Sequence, residues 1–212
     1  VKAKLQGKNN IHFAENRLAK GTSNRPAILI VDDDPQNLKL LEGMLFQIDC
    51  ELIKATNGID TLSIVNKTNV DLILLDVMMP DMDGYEVCQQ LKASEATRLI
   101  PVVLVTALDD REAKIKGIDA GADDFITKPP NKMELLARSK SLIKLKRLND
   151  NLASVEYVLF SLARTVEAKD KYTKGHVERV AKMAIILGRN MGLNESEMEA
   201  LRFGGILHDI VK

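Results

Sequence analysis

From Ala27 onward, short apolar runs recur along the chain: AILIV (27–31), ELIKA (51–55), LILL (72–75), PVVLV (101–105) and DFIT (124–127). The first, third and fourth are almost unbroken in apolar residues, as strands covered on both faces are. Helical spacing lies between them. PQNLKLLEGMLFQI places Leu38, Leu41, Leu45 and Ile48 on one face, and GYEVCQQLKAS does the same with Val87 and Leu91. Strand and helix alternate, which predicts an α/β fold: a doubly wound, five-stranded parallel sheet with helices on both faces. Ligands of such sheets bind beyond the carboxyl ends of the strands. Polar residues at those ends are therefore the first candidates for chemistry.

Beyond Asn131 the strand pattern stops. Leu145, Leu148, Leu152, Val155, Leu159, Leu162 and Val166 follow one another at alternating steps of three and four. That spacing predicts a seam for pairing with a second copy, or else a helix packed on its own domain. No Gly or Pro interrupts residues 131–173, which favours one continuous helix over 131–168. In 169–212, Val177, Val180, Ala181, Ala184, Ile185 and Leu187 outline an apolar helix face. Asn194 with Glu197 three residues on marks the start of another helix. Residues 1–25 are basic, poor in aliphatic side chains and close on Gly-Thr-Ser-Asn-Arg. They read as a tail or loosely docked extension, with room for a short helix over Phe13–Lys20 and with His12 as a surface residue. The predicted organisation is thus an extension (1–25), an α/β domain (26–148), a long helix (131–168) and an all-α segment (169–212).

Composition changes this picture little. The 212 residues are 45% hydrophobic and 28% charged with a formal net charge of +0, so no global field argues for nucleic acid or an anionic membrane. No basic recognition helix stands out, which disfavours DNA binding. Cys50 and Cys88 are far apart and lack metal-ligand spacing. No apolar run approaches the roughly 20 residues of a membrane span, and the N-terminus lacks the apolar core of a signal peptide. A cytoplasmic location is the expectation.

Chemistry concentrates at the predicted strand ends. Asp32, Asp33 and Asp34 follow the first strand, Asp76 ends the third, Thr106 follows the fourth, and Lys128 and Pro129 follow the fifth. Asp34 precedes Pro35 and is explained as a helix N-cap. Asp32, Asp33 and Asp76 have no such explanation. Carboxylates converging on one sheet edge repel one another, and a hard divalent cation such as Mg²⁺ relieves that repulsion. Lys128 can supply a fixed positive charge and Thr106 a hydroxyl donor. Such a site suits a phosphoryl group carried on a carboxylate nucleophile.

The segments ILIVDDDPQN, DLILLDVMMPDMDGYEV, PVVLVTA and DDFITKP, in that order and spacing, resemble a response-regulator receiver domain, a flavodoxin-like fold, over residues 27–148. The resemblance implies that Asp76 accepts a phosphoryl group from the phosphohistidine of a sensor histidine kinase. It implies Mg²⁺ held by Asp32, Asp33, Asp76 and the backbone carbonyl of Met78. It makes Thr106 and Lys128 partners of the phosphoryl oxygens and Phe125 the switch aromatic, here without a hydroxyl. Ala107 leaves the site open on its side, and the Lys128–Pro129 bond is expected to be cis.

At the other end, His176 opens a helix and His208 adjoins Asp209. Taken singly, His176 reads as a cap or surface residue and His208–Asp209 as a satisfied core pair. Together, EAKDKYTKGHVERVA and ALRFGGILHDIVK resemble the opening of an HD-GYP phosphohydrolase domain. That resemblance implies His176, His208 and Asp209 as ligands of iron- or manganese-type ions and cyclic di-GMP as substrate. Val211 stands where the family usually has Gly. The segment reads as a truncated HD-type domain, with the family's further ligands and its Gly-Tyr-Pro segment absent. Weak metal binding and no hydrolysis are therefore expected of these 212 residues. The expectation is a phosphorylated receiver that relays through a dimerising helix to an HD-GYP output. The rival is a non-enzymatic adaptor whose helices dimerise or dock a partner.

Overall fold

The computed structural model describes residues 25–107, 111–167 and 176–208. The helix foreseen over Phe13–Lys20, with His12, lies outside them, as do Asp209, Val211 and the side chains of Val166 and Val177. The chain divides into two compact units, Val1–Asn151 and Leu152–Lys212.

The first unit alternates strand and helix as its apolar runs foretell: β1 (Ala27–Val31), α1 (Pro35–Leu45), β2 (Glu51–Ala55), α2 (Gly58–Lys67), β3 (Leu72–Asp76), α3 (Gly84–Ala93), β4 (Val102–Thr106), α4 (Arg111–Asp119), β5 (Asp124–Thr127) and the start of α5 (Lys132–Glu167). The five strands pair in parallel in the order β2-β1-β3-β4-β5. Because side chains alternate along a strand, the central runs feed two cores. Ile28, Ile30, Leu72 and Leu74 pack with Leu38, Leu41 and Leu45 of α1 and with Leu135 of α5. Leu29, Val31, Ile73 and Leu75 pack on the other face with Val65 of α2 and with Val87 and Leu91 of α3. Full burial of each such side chain stabilises by about 1.5–3 kcal/mol, so a one-residue slip of any central strand would undo both layers.

One strand starts later than its apolar run. Pro101 has no N–H to give a ladder, although its carbonyl accepts from Ile73 N–H at 3.0 Å. β4 therefore runs Val102–Thr106, and Thr106 is its last residue.

The second unit comprises the remainder of α5 with α6 (His176–Asn190) and α7 (Glu195–Leu207). Asn194 caps α7 through a reciprocal pair: Glu197 N–H donates to Asn194 Oδ1 at 3.0 Å and Asn194 N–H to Glu197 Oε2 at 2.9 Å. The apolar face foreseen for α6 needs one correction. Ala181 is buried, but Leu187 is 59% exposed. The inward position belongs instead to Gly188, where a Cβ would meet Met198 Sδ at 2.7 Å and Leu201 Cδ2 at 2.8 Å.

Five seam residues of α5 face solvent, and Leu159 is half-buried. Leu145, Leu148, Leu152, Val155 and Leu162 are each more than half exposed, whereas Leu135, Leu136 and Ile143, on another side of the helix, are buried. No described helix is long and apolar enough to cross a membrane.

Candidate functional site

Parallel pairing sets the site. The register Val31↔Leu75, Asp76↔Val105 and Thr106↔Thr127 brings four strand ends level. Asp32 follows β1, Asp76 ends β3, Thr106 ends β4 and Lys128 follows β5. Asp32 and Asp76 are buried and Asp33 is exposed. One carboxylate oxygen from each of these three lies within 4.8 Å of the others.

Lys128 closes the cluster. Its Nζ donates to Asp32 Oδ2 at 2.7 Å and stands 2.8 Å from Asp76 Oδ1. Its backbone N–H donates to Thr106 carbonyl at 2.7 Å, and the bond to Pro129 is cis. Asp76 Oδ1 also accepts from Val77 N–H at 2.9 Å. Burial pushes the Asp76 carboxyl above the usual carboxylate range, with the Asp32 charge adding to the rise and Lys128 opposing it. Burial works against the Lys128 charge, but its bonds to Asp32 and Asp76 prevail and hold its pKa above the ordinary lysine value. Three carboxylates against one ammonium leave an excess of two negative charges, so the donor set fits a hard divalent cation.

Asp34 is the N-cap of α1, and its side chain accepts from Gln36 N–H at 2.8 Å. Asp32 Oδ1 accepts two further bonds, from Asp34 N–H at 3.0 Å and from Asn37 Nδ2 at 2.9 Å. Asn37 is the residue that sequence reading passed over. A polar residue in a first helical turn looks like solvent-facing surface, and only its position five residues after Asp32 hinted otherwise. Met78, expected to contribute its carbonyl, is 63% exposed beside the cluster. Phe125 packs inward, its ring so close to α4 that a Cβ on Gly117 would lie 2.3 Å from Phe125 Cε1.

In the second unit His176 and His208 come together across 32 residues, Nε2 to Nε2 at 3.1 Å. His208 Nδ1 lies 3.0 Å from the Gly205 carbonyl. A carbonyl only accepts, so Nδ1 is the donor in this bond, and Nε2 is the nitrogen left to face His176.

The family model described as "Response regulator receiver domain" matches residues 28–140. The chain is 46% identical over 129 residues to the response regulator PleD of Caulobacter vibrioides, a match covering 61% of this chain and 28% of PleD. It is 32% identical over 206 residues to the cyclic di-GMP phosphodiesterase response regulator RpfG of Xanthomonas campestris, covering 87% of this chain and 54% of RpfG. The chain thus spans between about a quarter and about half the length of these relatives. A crystal structure of a putative response regulator from Chloroflexus aurantiacus superposes with a TM-score of 0.55 at 34% identity, over 57% of this chain and 99% of that one. Through residues 28–140 the chain belongs to the response-regulator family and carries its phosphorelay receiver domain.

Proposed function

We propose that this chain accepts a phosphoryl group on Asp76 from the phosphohistidine of a sensor histidine kinase and relays the change through α5 to an HD-GYP-type output. One observation carries the reading: Lys128 bridges the buried Asp32 and Asp76, with the exposed Asp33 completing an acidic trio at the strand ends.

In this reading a carboxylate oxygen of Asp76 attacks phosphorus, the phosphorus–nitrogen bond of the phosphohistidine breaks, and the imidazole leaves with that electron pair and takes a proton. Asp32, Asp33, Asp76 and the Met78 carbonyl would hold Mg²⁺, which would offset the charge of the incoming phosphoryl oxygens. Lys128 turns from the carboxylates to a phosphoryl oxygen, and the Thr106 hydroxyl donates to another. Phe125 follows Thr106 and sets the position of α4. The direct test is Asp76→Asn treated with phosphoramidate and Mg²⁺, since Asn cannot form the acyl phosphate. Uptake of phosphate by that variant at the wild-type rate would remove Asp76 from the reaction.

The output half of the reading rests on the similarity to RpfG, which extends past the receiver, and on the adjacency of His176 and His208. Imidazole and carboxylate donors suit iron- or manganese-type ions. His176, His208 and Asp209 are the proposed ligands, and cyclic di-GMP is the proposed substrate of the complete output. The exposed seam Leu145–Leu162 is the proposed contact with a second copy. Metal analysis of protein extended past Lys212 tests the output: transition metal that fails to co-purify with it would sink this half alone.

A further inference from the structure

We infer that Asn37 is a positioning residue for the cation-binding carboxylate of Asp32, which sets how tightly the acidic pocket holds a divalent ion. The inference rests on the reading of Asp32, Asp33 and Asp76 as the cation site. An aspartate's last torsion joins an sp³ to an sp² carbon and is broad, so an unheld carboxylate swings. Asp32 is held on both oxygens. Oδ1 accepts from Asn37 Nδ2 at 2.9 Å and from Asp34 N–H at 3.0 Å, while Oδ2 accepts from Lys128 Nζ at 2.7 Å. An ionised carboxylate only accepts, so the amide nitrogen of Asn37 must be the atom that faces it.

The two donors on Oδ1 fill that oxygen's lone-pair sites and leave the free site of Asp32 on Oδ2, the oxygen turned toward Lys128. An amide does this without altering the charge of the pocket, which neither a carboxylate nor an ammonium at position 37 could do. Asp34 N–H is tied to the backbone at the N-cap of α1. Asn37 is therefore the one side chain beside Lys128 that anchors Asp32 among the described residues.

Packing does not explain Asn37. It is half-buried and lines an open cavity of about 260 Å³, together with Leu40, Leu41, Val105 and Pro130. Truncation would enlarge a space that already exists instead of creating a new void in a core.

The test is a Mn²⁺ titration of the unphosphorylated 212-residue chain, read by the electron paramagnetic resonance of free Mn²⁺. Asn37→Ala and the shape-keeping Asn37→Leu are compared with wild type and with Gln36→Ala, whose side chain is exposed on the same turn. Outer-shell partners of metal ligands are worth about 10–100-fold in affinity. Both Asn37 variants should show a dissociation constant raised by that factor, and Gln36→Ala should not. The Mg²⁺ concentration giving half-maximal phosphorylation by phosphoramidate should rise in parallel, with the rate at saturating Mg²⁺ retained. A purely structural role would instead lower the metal-free unfolding midpoint and the saturated rate together. Mn²⁺ affinity in Asn37→Ala and Asn37→Leu equal to that of a wild type that binds the ion overturns the inference. Absence of Mn²⁺ binding in the wild type overturns the cation site itself.

Discussion

Gly84→Ala should damage the phosphoacceptor from outside the pocket. Gly84 begins α3 directly after the N-cap Asp83, whose side chain accepts from Glu86 N–H at 2.8 Å while Glu86 reaches back to Asp83 N–H at 3.1 Å. Gly84 N–H donates to the Val77 carbonyl at 2.9 Å, so the helix start is pressed against the end of β3. A Cβ on Gly84 would lie 2.2 Å from the carbonyl oxygen of Asp76 and 2.8 Å from Val77 Cα, whereas real Cβ contacts essentially never fall under 3.0 Å. Something must retreat by at least the 0.8 Å between 2.2 and 3.0 Å. The obstructing atoms are backbone, held by the sheet on one side and the capping box on the other, so no flexible side chain can absorb the shift.

Overpacking of this kind costs about 1–3 kcal/mol. Better helix propensity returns at most about 1 kcal/mol, and less at a first-turn position. Because the clash is with fixed backbone, the upper part of that range applies; strain wins by about 1–2 kcal/mol, and the receiver's unfolding midpoint should fall by roughly 3–12 °C in calorimetry. Function should fall further than stability. The displaced carbonyl belongs to Asp76 itself, and misplacing a reacting group by about 1 Å can cost on the order of 10²-fold in rate. Phosphorylation by phosphoramidate at saturating Mg²⁺, followed on a phosphate-affinity gel, should slow by about that factor below the variant's melting temperature. A Gly84→Ala protein that melts and phosphorylates like wild type would show that β3 and α3 are not locked as described.

Three further outcomes are expected. Burial raises the Cys88 thiol to about 11 from 9.0, with Asp123 adding to the rise and Lys92 opposing it. The unfolded chain loses this proton first, so stability should fall as pH rises from about 9 to about 11, by about 3 kcal/mol. Urea midpoints of Cys88→Ala across that window should lack this component, and an unchanged alkaline slope would assign it elsewhere. Gly117→Ala should cost about 1–3 kcal/mol by colliding with the Phe125 ring, and most of that cost should vanish when Phe125→Ala is added, whereas an equal cost in both backgrounds would deny the contact. If the seam pairs two copies as proposed, Leu148→Asp with Leu152→Lys, both at exposed seam positions, should turn that dimer into a monomer in sedimentation without moving the receiver's melting point, and a wild type that sediments as a monomer would refute the pairing.

The sheet was legible because its central strands are continuous apolar runs, and continuity survives without knowledge of what covers them. Asp34 was legible too, since an acidic residue before Pro35 has a local reason that needs no fold. Lys128 was not legible on its own: 96 residues separate it from Asp32, and no local pattern announces the bond. Its place after the fifth strand put it at the pocket, and the family resemblance paired it with a phosphoryl oxygen, but neither foretold the bond to Asp32. Asn37 escaped both routes. Taken singly, His176 read as a cap or surface residue and His208 as half of a core pair; the HD-GYP resemblance joined them, and the close approach of α6 and α7 at Gly205 and Ala181, where a Cβ would come 3.0 Å from Ala181 Cα, is the physical reason they meet. Leu187 misled in the opposite sense, because periodicity favours large apolar residues and overlooks the glycine beside them that lets another helix in.

Charge makes Asn37 more than an ornament of the pocket. At rest Lys128 serves two masters, Asp32 at 2.7 Å and Asp76 at 2.8 Å. Phosphorylation would replace the single charge of Asp76 with about two on the phosphoryl group. The ammonium is then drawn toward the phosphoryl oxygens, and Asp32 loses the donor on Oδ2 at the moment its carboxylate is most needed as a ligand. What remains to hold Asp32 is the pair on Oδ1, Asn37 and the Asp34 N–H. Neither carries a charge that the phosphoryl group could capture. An ammonium or guanidinium at position 37 would be drawn to the same oxygens as Lys128 and would abandon Asp32 in turn. A neutral amide fixed in the first turn of α1 is therefore the donor that keeps its bond in both states. On this reasoning the loss in Asn37→Ala should be larger in the phosphorylated protein than in the resting one.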